Sequence, residues 1–178
     1  MEFFKPTNVH FYRGGYTSVN FYNENCAERR NKYQYKIEQE YEKYIDEVRE
    51  KGYSKIEKFF DLNELDKFKL EVSENFKNKT NTKFVQNNSH EQIIEPYLNT
   101  KYAFDIATDD RIINMASSFF NCLPSLGTCN LRRSFPTTNQ PAGTNMFHRD
   151  FNSPVKILKF FVYLNDVKPN NGPFTYVE

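Results

Sequence analysis

An α+β fold, with helices covering an antiparallel β structure, is what this chain predicts, and three observations predict it. Segments with helical periodicity fall in the first two thirds of the 178 residues, strand-like runs follow from Leu126 onward, and aromatic residues are abundant. The hydrophobic fraction is only 38% and the mean hydropathy is −0.79, but 18 Phe and 12 Tyr supply large buried areas. A single domain with a real core is therefore within reach.

Residues 1–27 are rich in Phe, Tyr, Asn and Gly and read as an irregular or short extended segment without an assigned role. Residues 28–178 read as one domain. From about Glu28 an apolar stripe of Tyr33, Ile37, Tyr41, Tyr44 and Val48 predicts a charged helix, with Glu47 and Lys51 as an i,i+4 pair and Gly52 as its stop. The tyrosine row is core packing rather than a ligand-stacking ladder. Tyr53 to Phe60 is expected to be a strand. Asp61 then caps a second helix, Glu64 completes a capping box, and Phe60 with Leu65 forms a hydrophobic staple. Leu65, Phe68, Val72 and Phe76 share its buried face.

The polar run Lys77 to Ser89 is expected to be a surface loop. A third helix starts near Thr108, with Asp109 and Asp110 where the helix dipole favours acids. It buries Ile112, Ala116, Phe119 and Leu123 and ends at Pro124. Leu126 to Phe135 and Val155 to Val167 are the main strands, joined by the turn-rich Pro136 to Asn145. Asn170-Asn171-Gly172-Pro173 is a turn, and Phe174 to Val177 is expected to open another strand. In the run Ile157 to Leu164, Leu158, Phe160, Val162 and Leu164 share a core face. Lys159, Phe161 and Tyr163 share the other, which is aimed at a cavity because it alone carries polar groups.

Basic and acidic residues number 24 and 23. A formal net charge of +1 leaves no broad electrostatic footprint for nucleic acid or an anionic membrane. Cys26, Cys122 and Cys129 lack paired spacing, so buried free thiols in a reducing cytosol are expected rather than a disulfide framework or zinc site. No apolar run approaches a membrane span, and the start lacks the features of a signal peptide. A cytoplasmic protein is the expectation.

The chemistry concentrates at Met146-Phe147-His148-Arg149-Asp150. In extended chain, side chains two apart point the same way, so His148 and Asp150 can reach one metal ion together. An imidazole and a carboxylate are two thirds of the facial triad that holds non-heme iron(II). Chance His-x-Asp matches are common, and context must decide. A protein-kinase reading of His148-Arg149-Asp150 fails: the position of the required asparagine is Val155, and no glycine-rich loop or Asp-Phe-Gly occurs.

The block Phe147-His148-Arg149-Asp150, Lys159 to Val167 and Asn171 to Val177 resembles the phytanoyl-CoA dioxygenase family. Gly52-Tyr53, Phe59 to Leu65 and Thr108 to Ile113 resemble its upstream elements, so the likeness runs patchily from about residue 45 onward. The resemblance implies a double-stranded β-helix, a jelly-roll of cupin type, with flanking N-terminal helices. It implies an Fe(II)/2-oxoglutarate-dependent oxygenase that uses O2 to hydroxylate a C–H bond of a small organic or acyl substrate. His148 and Asp150 would be the metal ligands and catalytic residues. The carboxylate at 150 argues for hydroxylation over halogenation, since halogenating relatives lack it.

Asn130, Arg132, Lys159 and Tyr163 are candidates to hydrogen-bond the 2-oxoglutarate dicarboxylate. For Arg132 and Arg133 a salt-bridged or solvated pair is the competing reading. The family's distal histidine and its 2-oxoglutarate arginine have no counterpart after Asp150, where no further histidine occurs. His10 and His90 match neither. The chain is thus expected to be an N-terminal part of such an enzyme, incomplete at the C-terminus and inactive by itself. The alternative is a non-catalytic jelly-roll binding module or an inactive remnant.

Overall fold

The computed structural model describes residues 14–22, 35–78, 83–87, 89–135, 146, 148, 156–168 and 173–176. Its described elements are β1 (Gly14–Tyr22), α1 (Gln39–Lys51), α2 (Leu62–Asn78), β2 (Lys83–Gln86), β3 (His90–Ile94), a 3-10 turn (Pro96–Leu98), α3 (Lys101–Ala107), α4 (Asp110–Phe120), β4 (Ser125–Ser134) and β5 (Ile157–Tyr163). The strands form one antiparallel sheet in the order β2-β3-β4-β1-β5. The architecture is α+β. Among the described residues no helix is long and apolar enough to cross a membrane.

The unexpected element is β1. The segment read as irregular or short extended contributes a nine-residue strand near the middle of the sheet, between β4 and β5. Its alternation is legible afterwards: Val19 and Phe21 face the core, with Asn20 between them on the other side. Directly opposed residues share a face. Val19 opposes Cys129 and Phe160, Phe21 opposes Leu158, and Leu131 opposes Ile93. These residues join Ile45, Phe68, Val72, Phe76, Ile112, Met115 and Phe120 from the helices in a single core.

The helices follow their local signals with shifted ends. α1 starts at Gln39, not near Glu28, because Glu38 is still extended at φ −73° and ψ 138°. Ile45 is its buried residue, flanked by Tyr41 and Val48. Gly52 stops it in the left-handed region at φ 84°, donating to the Val48 carbonyl at 3.0 Å. The positive φ is what requires glycine, and the Tyr176 hydroxyl closes over the position, 2.2 Å from where a Cβ would stand. The Glu47–Lys51 pair forms at 4.0 Å. Asp61 caps α2 through Oδ1, which accepts from Asn63 N–H at 2.8 Å, and Phe68, Val72 and Phe76 are buried. Asp109 caps α4 in the same way through Arg111 N–H at 2.9 Å. α4 ends at Asn121, which adopts φ 55°, three residues before Pro124.

Four expectations are corrected. Tyr53 to Phe60 is not a strand: the segment turns at Lys58, φ 55°, and inserts Ile56, Phe59 and Phe60 against the core without a sheet partner. The run from Lys77 to Ser89 is not one loop, since it holds the end of α2 and strand β2, hairpinned to β3. Asn87 Oδ1 accepts from the Ser89 and His90 N–H groups at 2.8 and 2.9 Å and fixes that turn. Residues 173–176 are not in a strand; Phe174 instead stacks on Phe161 and Tyr176 on Tyr53, with centroids 5.1 and 5.2 Å apart. Finally, Cys122 is disulfide-bonded, whereas Cys129 is the expected buried free thiol. The argument for a reducing compartment from three free thiols is therefore lost. The turns at Pro136 to Asn145 and Asn170 to Gly172 lie outside the described residues.

Candidate functional site

The sheet has two chemically different faces. One carries the core residues and is sealed by the helices. On that side Glu91 and Arg133, directly opposed on β3 and β4, form an ion pair, with the guanidinium 4.7 Å from the Phe76 ring centroid. For Arg133 the salt-bridged reading thus holds. The other face carries Asn130, Arg132, Lys159 and Tyr163, the four residues singled out from the sequence, on strands β4 and β5 flanking β1. The parity expected for β5 holds: Leu158 and Leu164 are buried, Lys159 and Phe161 are half-buried, and Tyr163 is exposed.

Register orders this polar face into rows that cross the strands. Arg132 and Tyr163 both oppose position 16 of β1, and Gln92 opposes Arg132 from β3. Asn130 and Phe161 oppose position 18. Thr128 and Lys159 oppose Asn20. Four residues of strand separate the first row from the third, about 13 Å at 3.3 Å per residue. Arg132 and Asn130 are two apart on β4, Tyr163 stands across β1 from Arg132 at two inter-strand spacings, about 10 Å, and Lys159 is at the far end of the face from Arg132.

His90 joins the first end. Its Nδ1 lies 3.2 Å from Arg132 Nη2 and 3.0 Å from Ser89 Oγ. A guanidinium only donates, so Nδ1 is the acceptor and Nε2 carries the proton. Burial, and then the charge of Arg132, hold this imidazole below its ordinary pKa. Sequence reasoning set His90 aside, as a surface or structural histidine, because it precedes the His-x-Asp motif and matches neither of the missing family residues. The alternation of β3, with Glu91 and Ile93 inward and His90 and Gln92 outward, was the available signal.

His148 lies in the connection from β4 to β5 and is exposed. Its Nδ1 is 2.7 Å from the Met146 carbonyl oxygen. A carbonyl only accepts, so Nδ1 bears the proton and, in the neutral ring, the lone pair is on Nε2. This backbone contact is the arrangement that orients metal-binding histidines. Asp150, its expected co-ligand, lies outside the described residues.

A separate polar cavity of ≈ 280 Å³ between α1, residues 56–59 and the start of α4 is lined by Tyr41, Lys43, Tyr44, Phe59 and Arg111 among others. Arg111 is committed structurally. It grips Asp109 at 3.0 and 2.7 Å, donates to the Phe59 carbonyl at 2.9 Å and lies 4.1 Å from the Phe59 ring centroid. The Asp109 contact raises the Arg111 pKa further, and burial raises that of the Tyr41 hydroxyl. These Arg111 contacts tie residues 59–60 to the start of α4.

Comparison with known proteins gives no match to any family model, curated protein or solved structure.

Proposed function

We propose that the chain is the N-terminal part of an Fe(II)/2-oxoglutarate-dependent oxygenase built on a double-stranded β-helix. It would hydroxylate a C–H bond of a small organic or acyl substrate. The observation that carries this reading is the Nδ1–H of His148 held on the Met146 carbonyl, which presents Nε2 as a ready-oriented ligand within the His-x-Asp pair. The donor set, one neutral imidazole and one carboxylate, suits ferrous iron. When bound, the metal would supply oxygen activation.

The chain's own residues would do the positioning. His148 Nε2 and the Asp150 carboxylate would fix one side of the metal. Arg132 would pair with one carboxylate of the dicarboxylate cosubstrate, while Asn130 and Tyr163 would orient it by hydrogen bonds. Phe161, half-buried and stacked on Phe174, would exclude water from the middle row. A five-stranded antiparallel sheet with one sealed and one polar face is compatible with part of a jelly-roll, whose interior is lined in this way. The third ligand and a further arginine would come from outside residues 1–178.

Manganese(II), a paramagnetic stand-in for ferrous iron, tests the site directly. Titrated into the 178-residue chain, it is expected to broaden the NMR signals of His148 and Asp150 first. His148→Ala should erase this effect with the spectrum otherwise intact. Broadening centred elsewhere, or unaffected by the substitution, would refute the assignment. With two ligands only, metal binding should be weak and 2-oxoglutarate turnover undetectable. Iron-dependent decarboxylation by this chain would show that the ligand set is already complete.

A further inference from the structure

We infer that the polar cavity between α1, residues 56–59 and α4 is a binding site for a small sugar phosphate. The cavity is open to solvent: its rim residues Glu40, Lys43, Glu57 and Lys58 are exposed, while the rings of its floor are half-buried. Its volume of ≈ 280 Å³ falls just short of the roughly 300–1,000 Å³ of drug-sized pockets. That suits a metabolite of one ring and not a dinucleotide.

Charge sorts the ligand further. Arg111 is already matched by Asp109, and Glu57 by Lys55 at 2.7 Å. Among the described residues neither Lys43 nor Lys58 forms an ion pair. The Lys43 ammonium lies 4.7 Å from the Tyr44 ring centroid, and that of Lys58 acts on a Glu57 carboxylate already held by Lys55. Two such ammonium groups on one rim favour a dianion, and a phosphomonoester is close to one at neutral pH. Glu40 also forms no ion pair among the described residues. A carboxylate only accepts hydrogen bonds, so it calls for hydroxyl donors on the rest of the ligand, and the neighbouring Tyr41 hydroxyl serves in either role. Cations already lie over two rings of the floor, Lys43 over Tyr44 and Arg111 over Phe59, which disfavours a stacked aromatic ligand.

The backbone presents Lys58 under strain. Its φ of 55° is in the left-handed region, which glycine enters freely and a Cβ crowds. The other two non-glycine residues described there have local reasons: Asn121 closes α4, and Glu95 opens the 3-10 turn while pairing with Lys83 at 3.3 Å. Lys58 has neither role, so glycine would serve the fold better. Strain of this kind gathers at ligand sites. The inference needs no metal and shares no residue with the iron reading, so either can fail alone.

The test is calorimetric titration of the 178-residue chain, in chelator, with glucose 6-phosphate, ribose 5-phosphate, glucose and inorganic phosphate. At least one sugar phosphate is expected to bind about tenfold tighter than inorganic phosphate, with glucose binding too weakly to measure. Lys58→Gly should weaken that sugar phosphate about tenfold while the Tm holds or rises, because glycine relieves the backbone. Lys58→Arg keeps the charge and should stay within about threefold of the wild type. Glu40→Gln should narrow the margin over inorganic phosphate. Binding of neither sugar phosphate, equal binding of inorganic phosphate, or undiminished affinity in Lys58→Gly would overturn the inference.

Discussion

Removing the charge of Arg133 while keeping its stem is the sharpest test of how the sealed face is built. Arg133→Met retains an unbranched side chain to lie over Phe76 but strips the partner from Glu91. The Glu91 side chain is 3% exposed and that of Arg133 is 41% exposed. Orphaning a buried carboxylate costs about 3–5 kcal/mol, and water reaching the arginine end brings this down to about 2–3 kcal/mol. For a chain of this size each kcal/mol lowers Tm by about 2–4 °C, so a fall of about 5–10 °C is expected. Urea unfolding should show a lower midpoint at unchanged slope, since the surface exposed on unfolding is the same. Adding Glu91→Gln to Arg133→Met should recover part of the loss, and the double-mutant cycle then isolates the pair. A single-variant cost below about 0.5 kcal/mol would refute the view that Glu91 depends on this partner.

Two further outcomes are expected. The folded chain holds the pKa of His90 down, so the unfolded chain takes up this proton first as pH falls. The stability contributed by neutral His90 is present above the unfolded value near 6.5 and fades below it, at no more than about 1.4 kcal/mol per pH unit. His90→Asn should flatten the wild-type decline in urea midpoint between pH 7.5 and 5.5, and equal slopes in both would count against a His90 pKa held down, chiefly by burial, in the folded chain. For the cysteines, thiol titration of the denatured, non-reduced chain should find one reactive group, Cys129, with two more released by reductant; three before reduction would exclude the Cys122 disulfide.

What was legible in the sequence was mostly local. Gly52, Asp61 and Asp109 terminate or cap their helices through contacts within one turn, and such signals survive without tertiary context. Leu158, Phe160, Val162 and Leu164 announced a core face because strand parity is fixed by geometry. The misses share a different cause. β1 is a strand because β4 and β5 flank it, and its partners lie more than a hundred residues away. Conversely, Tyr53 to Phe60 has strand-like composition but turns at Lys58 and spends Ile56, Phe59 and Phe60 on the core. Lys58 could not be singled out from sequence, since a lysine becomes unusual only once its left-handed backbone and its place on a cavity rim are seen. Parity alone paired Asn130 with Arg132 and Lys159 with Tyr163, but that the two pairs share one face, and how they are spread along it, needed the register.

The position of β1 also bears on how the chain is made. Gly14–Tyr22 leaves the ribosome before any of its sheet neighbours exist, and Thr128 and Lys159 must be synthesised before both its edges are covered. Throughout that interval Val19 and Phe21 belong to a segment without its partners, whose apolar side chains and unpaired backbone invite misassociation. Closing loops this long makes folding slow, so the chain's yield in cells should depend on holdase chaperones that bind its first twenty-odd residues.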